Sequence, residues 1–369
     1  MKITVLKNNL KNSLDAVSRI VGENTNLPIL KNVLIKSEGG KINISSTDLE
    51  TAIVKTVAGK IIEDGQITVP FTIFNSVINN IQNERIDLES KGMNVLVKTD
   101  SYEAKIQGMS SEDFPIIPKV GIKDEYVDIK GSILKEGLIS VVSAAQISEL
   151  RPEISGVMFN IDGEMLKLVA TDSFRLAEKT IYGSEFENNF ERGFSMIVPL
   201  KPIQELIRIV GDKENIKIYS DGSQFMMETD DTTLITRLID GKFPDYTQII
   251  PKEVSTDMEI SRTELMGALK LVSSFSSKNN EVIFKIIPDK KLIEAYSADN
   301  MLGENKYLIP AKITGEAVDV TFNWRYFIDG LKSIDSETVN MGLQGDTKPS
   351  VIKWPQDNSY IYIIMPIKS

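Results

Sequence analysis

The sequence contains no histidine and no cysteine among its 369 residues. Without cysteine there is no disulfide framework and no thiol nucleophile, and the usual zinc ligands are missing as well. The absence of imidazole also excludes a Ser-His-Asp triad, because no histidine can accept the serine proton. Several classes of hydrolase and metalloprotein are thereby excluded, and the lack of cysteine fits a cytoplasmic protein.

Long apolar runs are missing too. No stretch approaches about 18 uninterrupted apolar residues, so no membrane-spanning helix is predicted. The N-terminus reads Met1-Lys2-Ile3-Thr4-Val5, which lacks the apolar segment of a signal peptide. Glycine-rich phosphate loops are absent. With 41% hydrophobic and 25% charged residues, the composition is that of an ordinary globular protein, and the length predicts two or three domains.

Basic residues are outnumbered by acidic ones. The chain has 42 Lys and Arg against 52 Asp and Glu, a formal net charge of -10, which at first argues against a nucleic-acid partner. The deficit is uneven, because the stretches divided at residues 123 and 252 carry net charges of +1, -8 and -3. Segments with a helical pattern lean basic: in the first of them Lys7, Lys11 and Arg19 accompany one acid, Asp15. Such bases could contact phosphates or form ordinary solvated helix faces.

Three features recur in the same order at a nearly constant spacing. The first is an apolar strand followed by an acidic turn, in which Asp48, Asp172 and Asp299 are separated by 124 and 127 residues. The second is a short strand that runs into an amphipathic helix, predicted over 71–82, 200–210 and 324–334. The third is Phe-Pro followed by Ile-Pro, at 114–118 and 243–251. We interpret the sequence as a threefold internal repeat, with common strand-turn patterns of an α+β protein as the alternative.

Each repeat also opens with apolar residues at helical spacing, such as Leu6, Leu10 and Leu14 in the first. Alternating segments predict strands, and glycine-containing turns between them predict hairpins. We therefore predict an α+β fold of three repeated domains, each with two helices packed on an antiparallel sheet. The domain limits are predicted at 1–120, 126–252 and 253–369, with proline-containing linkers between them.

Six short segments share their order and spacing with one known family. They are 27–34 (LPILKNVL), 155–159 (SGVMF), 170–177 (ATDSFRLA), 241–246 (GKFPDY), 322–327 (FNWRYF) and 364–367 (IMPI). Each motif alone is weak, but six in register over the whole chain, with its length and its repeat, form a specific pattern. The sequence thus resembles the bacterial DNA polymerase III beta subunits, the beta sliding clamps.

The resemblance implies a DNA clamp fold, in which two subunits join head to tail into a ring of six domains. Helices would line a hole for double-stranded DNA, with the sheets outside. It implies a non-catalytic processivity factor of the replicative polymerase that encircles DNA without sequence specificity and uses no cofactor or metal. The implied partners are a second copy of the chain, the DNA polymerase III alpha subunit, the clamp loader, and other polymerases and repair proteins that carry clamp-binding motifs. The implied location is the cytoplasm, away from membranes.

Family position and charge together assign three groups of residues. The resemblance implies a peptide-binding pocket formed by Ile154, Thr171, Phe174, Arg175, Leu176, Pro244, Ile249, Ile363, Met365, Pro366 and Ile367. The candidates for contact with DNA phosphates are Lys7, Lys11, Arg19, Arg151, Lys201, Arg208, Arg325 and Lys332. The implied subunit interface joins Tyr102, Ala104 and Ile106 of one chain to Leu269, Val272 and Phe275 of the other.

Alternatives remain for several of these residues. Ile154 and Leu176 could be plain core residues, and Arg175 could form a structural ion pair with a nearby carboxylate. Both interface segments could be ordinary core or surface. Phe174 stands where many family members have histidine, so the peptide preference could differ.

Two further departures concern the basic residues: the second helix of the first repeat has none, and Asn24 occupies a position where the family can carry arginine. Two rival functions are also open. Asp48 and Asp172 could serve carboxylate or metal chemistry instead of capping turns. The chain could also be a clamp-fold scaffold that neither closes nor binds DNA.

Overall fold

The computed structural model describes residues 1–22, 26–118, 120–121, 124–190 and 193–368. Within this part of the chain, each of six α-helices begins at the residue directly after a strand. The helices are α1 (Lys7–Val17), α2 (Phe71–Asn80), α3 (Gly131–Val142), α4 (Leu200–Ile209), α5 (Arg262–Val272) and α6 (Trp324–Lys332).

The strands of the same residues are short, and the pairs whose register is defined are antiparallel. They are β1 (Lys2–Leu6), β2 (Asn32–Glu38), β3 (Lys41–Thr47), β4 (Thr51–Val57), β5 (Gly59–Glu63), β6 (Gly65–Pro70), β7 (Arg85–Lys91), β8 (Asn94–Lys98), β9 (Glu103–Gln107), β10 (Val127–Lys130), β11 (Gly156–Asp162), β12 (Met165–Thr171), β13 (Arg175–Tyr182), β14 (Phe186–Asn188), β15 (Phe194–Pro199), β16 (Asn215–Ser220), β17 (Gln224–Glu228), β18 (Thr232–Arg237), β19 (Thr256–Ser261), β20 (Glu281–Ile287), β21 (Leu292–Asp299), β22 (Gly303–Gly315), β23 (Val318–Asn323), β24 (Thr338–Leu343), β25 (Ser350–Lys353) and β26 (Tyr360–Ile364).

The chain divides into two compact units. The first unit comprises Met1–Gly131, Glu187–Phe190 and Arg208–Leu238. It contains a five-stranded sheet in the order β5-β1-β7-β8-β9 and a nine-stranded sheet in the order β14-β10-β16-β17-β18-β4-β3-β2-β6. Alternate residues of these strands are buried, as in β1 and β7, because one face of each sheet packs on the core. Helices α1 and α2 pack on each other within this unit.

The second unit comprises Ser132–Phe186, Glu191–Ile207 and Ile239–Ser369. Its twelve-stranded sheet has the order β15-β11-β12-β13-β26-β25-β24-β19-β22-β21-β20-β23. Helices α5 and α6 pack on each other, and three rings (Phe284, Phe322 and Phe327) meet at centroid distances of 4.9 to 6.0 Å in the core of the last repeat. The strands of the central repeat are thus shared between the sheets of the two units.

The acidic turns of the three predicted repeats have equivalent hydrogen bonds. The Oδ1 atoms of Asp48, Asp172 and Asp299 each accept from the backbone N–H groups two and three residues further on. These are Asx turns, which allow the chain to reverse between strands. In the third copy the strand itself runs to Asp299, whereas the other two strands end at Thr47 and Thr171.

The predicted helices differ from the observed ones at their ends. Helix α1 stops at Val17 although the apolar spacing continues to Val21, and α5 passes into a 3-10 turn at Ser273–Phe275. The second helices end two residues or one residue before their predicted limits. Apolar residues beyond these ends, such as Ile81 and Ile334, remain buried, so hydrophobic spacing marks the core rather than the last hydrogen-bonded turn.

Candidate functional site

The turn that joins β12 to β13 presents an exposed aromatic ring. The Thr171 hydroxyl donates to the Arg175 carbonyl oxygen at 2.7 Å and accepts from the Ser173 N–H at 3.2 Å. Asp172 Oδ1 accepts from the N–H groups of Phe174 and Arg175, each at 2.9 Å. Ser173 adopts a positive φ of 77°, and the Phe174 side chain is left 61% exposed. The hydroxyl of Thr171 is therefore used to hold the turn, and Phe174 is the residue offered to solvent.

The C-terminal segment lies beside this turn. Strands β13 and β26 pair with Leu176 opposite Ile363, and the Met365 N–H donates to the Phe174 carbonyl oxygen at 2.8 Å. Met365 is half-buried, and Pro366 is buried. Two chain regions almost 190 residues apart in sequence are thus brought side by side by one strand pair.

Several predicted pocket residues belong to the core. Leu176 and Ile363 are fully buried in a cluster with Val169, Phe243 and Tyr246. Ile154 is buried as well, at the end of a 3-10 turn. Ile154 and Leu176 thus expose little surface in the single chain. The predicted pocket residues that reach solvent are Phe174 and Ile249, with Pro244, Met365 and Ile367 half-buried. The structure places Met365 directly beside Phe174. We name these five residues the Phe174 groove, after the peptide-binding pocket that the resemblance implies.

Arg175 lies behind the turn and is held by acids and an aromatic ring. Its Nε donates to Asp172 Oδ2 at 3.0 Å, and its Nη1 donates to Asp329 Oδ2 at 2.7 Å. The guanidinium carbon lies 4.3 Å from the centroid of the Tyr326 ring. Burial alone would lower the Arg175 pKa, but Tyr362 and the Asp329 and Asp172 carboxylates favour the charged form and raise the pKa above its ordinary value.

The structural ion pair suggested as an alternative for Arg175 is therefore present. Asp329 and Tyr326 were missing from the sequence-based site. One signal pointed to Asp329, because it is the single acid on an otherwise basic helix face.

Helices α4 and α6 carry the same charge pattern. Lys201 and Arg208 are exposed two turns apart on α4, and Arg325 and Lys332 are exposed at the corresponding positions of α6. The acid between them differs in its surroundings: Glu205 is 7% exposed, whereas Asp329 binds both Arg175 and the exposed Lys332. Both helices therefore present two exposed bases two turns apart.

The other basic candidates vary in their surroundings. Lys11 and Arg19 are exposed, whereas Lys7 is half-buried and its Nζ donates to the Ile81 carbonyl oxygen at the end of α2. Arg151 is exposed, and it binds Glu153 Oε1 at 3.1 Å and Ser173 Oγ at 2.9 Å. Helix α2 contains no Lys or Arg, as the sequence indicates. Asn24 lies outside the described residues.

Strand β9 forms an edge of the five-stranded sheet. Among the described residues, β8 is the strand that pairs with it. The Thr99 N–H donates to the Tyr102 carbonyl oxygen and the Gly108 N–H donates to the Met93 carbonyl oxygen, so the even-numbered residues of β9 bond to β8. The backbone N–H groups of Glu103, Lys105 and Gln107 consequently point away from the sheet.

The predicted interface side chains are not all at the surface. Tyr102 is 42% exposed and Ala104 half-buried, but Ile106 is buried. In the other predicted segment, Leu269 and Val272 are fully buried and Phe275 is half-buried. The helical spacing of Leu269 and Val272 places both side chains on the face of α5 that packs against the sheet. The exposed apolar residues of this region are Leu271, Met301, Leu302 and Leu308, which the sequence-based site omitted.

The side chains of Asp48 and Asp172 have a geometry different from that of a metal site or a catalytic pair. Both carboxylates accept backbone N–H groups of their own turns, and Asp172 also binds Arg175. Within the described residues, no three acidic side chains are grouped as a metal site would require. The hydrogen bonds of both aspartates are those of turn caps.

Sequence models of one family match three consecutive parts of the chain. The N-terminal domain of the DNA polymerase III beta subunit matches residues 1–118, the central domain 128–245 and the C-terminal domain 247–368. The chain belongs to the DNA polymerase III beta subunit family. The resemblance found in the six sequence motifs is thereby confirmed.

Curated relatives of this family match over their full length. A beta sliding clamp of Synechococcus elongatus is 28% identical over 375 residues, covering 100% of this chain and 99% of the relative. One from Chlamydia pneumoniae is 27% identical over 372 residues with the same coverage. A beta sliding clamp of Staphylococcus aureus is 26% identical over 380 residues, with both chains fully covered.

Solved structures of the family share the fold. A DNA polymerase sliding clamp from Bacillus subtilis superposes with a TM-score of 0.95 at 24% identity, covering 100% of this chain and 99% of that one. A DNA polymerase III beta subunit from Thermotoga maritima gives 0.91 at 28% identity with the same coverage. A sliding clamp from Pseudomonas aeruginosa bound to griselimycin gives 0.94 at 24% identity, and both chains are fully covered. The α+β clamp fold with helices on antiparallel sheets is confirmed.

Proposed function

We propose that this chain is the sliding clamp of a bacterial replicative DNA polymerase. The main support for this proposal is the match of the three family domains, in order, to three consecutive thirds of the chain. A clamp raises processivity by staying topologically linked to DNA and performs no catalysis.

We propose three domains with limits at 1–120, 126–252 and 253–369, and a location in the cytoplasm, where bacterial DNA is replicated. Among the described residues, no helix is long and apolar enough to cross a membrane.

The proposed assembly is a head-to-tail dimer that closes into a ring. A head-to-tail contact is heterologous, so it either closes or grows into a fibre. The outward N–H groups of β9 provide one half of such a contact, since an unpaired edge accepts another strand. The half of β22 before Pro310 pairs with β21 and, within the described part of the chain, has no strand on its other side. We propose that β9 of one subunit pairs with this half of β22, flanked by Tyr102 and Leu271.

The proposed DNA contacts come from the helices. In the described chain the six helices carry nine Lys and Arg against five Asp and Glu, whereas the whole chain is acidic. Exposed bases on α4 and α6 attract phosphates without reading base edges, so binding is independent of sequence and sensitive to salt. Weak contacts suit sliding, because a tight contact would hold the ring in place.

The Phe174 groove is the proposed attachment site for the polymerase alpha subunit, the clamp loader and other proteins with clamp-binding motifs. Phe174, Ile249 and Met365 offer apolar surface. The turn beneath Phe174 is held by the Thr171 hydroxyl, which donates a hydrogen bond, and by the Asp172 carboxylate, which accepts one. A rigid apolar groove suits a short peptide, because little ordering is needed on the protein side. Arg175 lies on the inner side of this apolar surface and supports the turn, and its own side chain is largely buried.

Retention on circular DNA tests the clamp function. The full chain is loaded on nicked circular plasmid by a bacterial clamp loader with ATP, and bound protein is separated by gel filtration at about 0.2 M salt. We expect the dimer to stay on the circle and to leave when a restriction enzyme linearises the plasmid. Equal retention on circular and linear DNA would reject the topological mechanism. A chain that runs as a monomer in native mass spectrometry would support the non-closing scaffold instead.

A further inference from the structure

The first repeat contains a turn with the same hydrogen bonds as the turn beneath Phe174. The Thr47 hydroxyl donates to the Thr51 carbonyl oxygen at 2.9 Å and accepts from the Leu49 N–H at 3.1 Å. Asp48 Oδ1 accepts from the N–H groups of Glu50 and Thr51, at 3.2 and 2.8 Å. Leu49 has a φ of 79°, against 77° at Ser173. The two turns are therefore equivalent bond by bond.

The strand beside each turn is equivalent as well. In the first unit, β4 pairs with β18 so that Ala52 lies opposite Ile235, as Leu176 lies opposite Ile363. The Arg237 N–H donates to the Glu50 carbonyl oxygen at 3.0 Å, as Met365 does to Phe174 at 2.8 Å. Glu50 and Arg237 thus occupy the positions that Phe174 and Met365 hold in the other groove.

A cavity of about 370 Å³ opens beside this first-repeat turn. Its apolar lining comes from Leu49, Ala52, Ile116, Pro118 and Ile235. A volume of this size lies within the range of ligand pockets. Glu50 and Arg237 also line the cavity, and both side chains are about two-thirds exposed. Uncharged polar residues complete the lining: Thr47, Thr51, Gln224 and Thr236. The first unit therefore holds a groove with apolar and polar walls and a charged rim, which we name the Leu49 groove.

Leu49 is an unusual residue for its position. A bulky side chain at positive φ is uncommon, because Gly, Asn and Asp adopt that conformation at lower cost. The Leu49 side chain is nevertheless 46% exposed and contributes apolar surface to the cavity. Strained residues of this kind concentrate at binding sites.

We propose that the Leu49 groove is a second peptide-docking site, for an extended segment with two adjacent aliphatic residues followed by an acidic one. The inference rests on the proposed peptide function of the Phe174 groove, to which the turn and strand pair are equivalent. The aliphatic side chains fill the cavity. The peptide carboxylate pairs with Arg237, whose contact with Glu50 is loose at 3.7 Å, beyond hydrogen-bond distance.

The two grooves differ in what they select. The Phe174 groove has an apolar rim of Phe174 and Met365, whereas the Leu49 groove has the charged rim of Glu50 and Arg237. A peptide that relies on aromatic or aliphatic contacts along its whole length suits the first. A peptide with a charged residue next to its aliphatic anchor suits the second, so two partners could occupy one chain at once.

Methyl NMR of the full-length, deuterated protein with labelled isoleucine tests the second site. The probes are acetyl-Ser-Leu-Leu-Asp-Ser-amide and its counterpart with Lys in place of Asp. We expect saturable shifts of the Ile116 and Ile235 methyls, with the acidic peptide binding about three-fold more tightly. Leu49→Asn tolerates positive φ and should weaken binding about five-fold or more. Arg237→Gln should abolish the charge preference, and Glu50→Gln should tighten the acidic peptide by removing a competing carboxylate.

The controls separate the two grooves. Phe174→Ala should leave the Ile116 and Ile235 shifts unchanged. Shifts confined to Ile249 and Ile363, no shift at Ile116 and Ile235 with millimolar peptide, or equal affinity in Leu49→Asn would each overturn the proposal. The Phe174 groove is tested separately by the methyl shifts of Ile249 and Ile363 with a polymerase clamp-binding peptide. A failure of the proposed function at that groove is therefore distinguished from a failure at the Leu49 groove.

Discussion

The Arg175 guanidinium lies between two carboxylates with 11% of its side chain exposed, and the Asp172 side chain is 1% exposed. Buried ion pairs of this kind add little net stability over apolar residues, but the loss of one partner leaves the other charge uncompensated. Arg175 therefore acts mainly through Asp172 and Asp329: it keeps the turn beneath Phe174 and the helix α6 in fixed positions.

Arg175→Met should lower the free energy of unfolding by about 3 kcal/mol, because Asp172 and Asp329 lose their shared cation. Urea unfolding followed by circular dichroism measures the change. The matched control is Arg325→Met, which removes an exposed arginine stacked on Trp324 and should change stability by less than about 1 kcal/mol. An Arg175→Met protein as stable as this control would contradict the structural role.

The residues of the Phe174 groove show which of its features could be predicted from the sequence. The strand alternation indicates that Phe174 and Leu176 share a face, but it does not say which of them the turn lifts out of the core. The positive φ at Ser173 decides this, and a serine there is no sequence signal. The partners of Arg175 come from helix α6, more than 150 residues away, and local pattern contains no information on such a contact.

Met365→Ala combined with Pro366→Ala should reduce the affinity of a polymerase clamp-binding peptide at least about 50-fold. Truncation removes the wall beside Phe174, and apolar contacts dominate such grooves. Fluorescence anisotropy with a labelled peptide measures the affinity, and native mass spectrometry checks that the dimer persists. Lys368→Ala, an exposed change in the same segment, should bind normally. Undiminished affinity in the double variant would reject the groove assignment.

At the scale of elements, each described helix follows a strand without an intervening loop, and for α2, α4 and α6 this arrangement was readable from the sequence. An apolar strand ending in Pro70, Pro199 or Asn323 gives way to helical spacing at the next residue. At Asn323 the side chain accepts from the Arg325 N–H and caps α6. The helix ends were less predictable, because apolar residues stay buried for a turn beyond the last helical hydrogen bond.

Two glycines inside helices of the second unit should respond in opposite ways to alanine. A Cβ at Gly267 in α5 would meet nothing within 4 Å, so Gly267→Ala should stabilise the protein by about 0.5–1 kcal/mol. A Cβ at Gly330 in α6 would lie 2.6 Å from the Tyr362 ring. That ring is fully buried, and its hydroxyl donates to the Tyr326 carbonyl oxygen at 2.8 Å, so the ring is held in place.

Gly330→Ala should therefore destabilise by about 2 kcal/mol, since an overpacked core must shift its side chains. Thermal unfolding of both variants at one protein concentration provides the comparison, because dimer dissociation makes the midpoint depend on concentration. A stabilised Gly330→Ala protein would mean that α6 is free to move away from Tyr362.

At the scale of the whole molecule, the net charge of -10 and a DNA partner are compatible. The net charge of the whole chain is the sum of acidic strands and connections and of helices that carry more bases than acids. In the proposed ring, topology would retain the DNA, so little affinity is needed, and the acidic strands and connections would repel phosphates from surfaces other than the helices.

In the proposed ring the subunits join through the edge strand β9, and the hydrogen bonds within the sheet leave the N–H groups of Glu103, Lys105 and Gln107 for this contact. The Lys105 N–H points away from β8, so Lys105→Pro removes a donor from the outer edge and none from the sheet within the chain. The side chain at this position is exposed. Proline is tolerated on such edges, and the subunit should therefore fold normally.

Lys105→Pro should shift the protein from dimer to monomer at micromolar concentration, because the incoming strand loses a hydrogen bond and meets the proline ring. Native mass spectrometry measures the assembly, and circular dichroism checks the fold. Lys105→Ala keeps the backbone N–H and should remain dimeric, which separates the backbone from the side-chain charge. Retention on circular plasmid should fall together with the dimer. A stable Lys105→Pro dimer would show that the subunits do not join through the edge of β9.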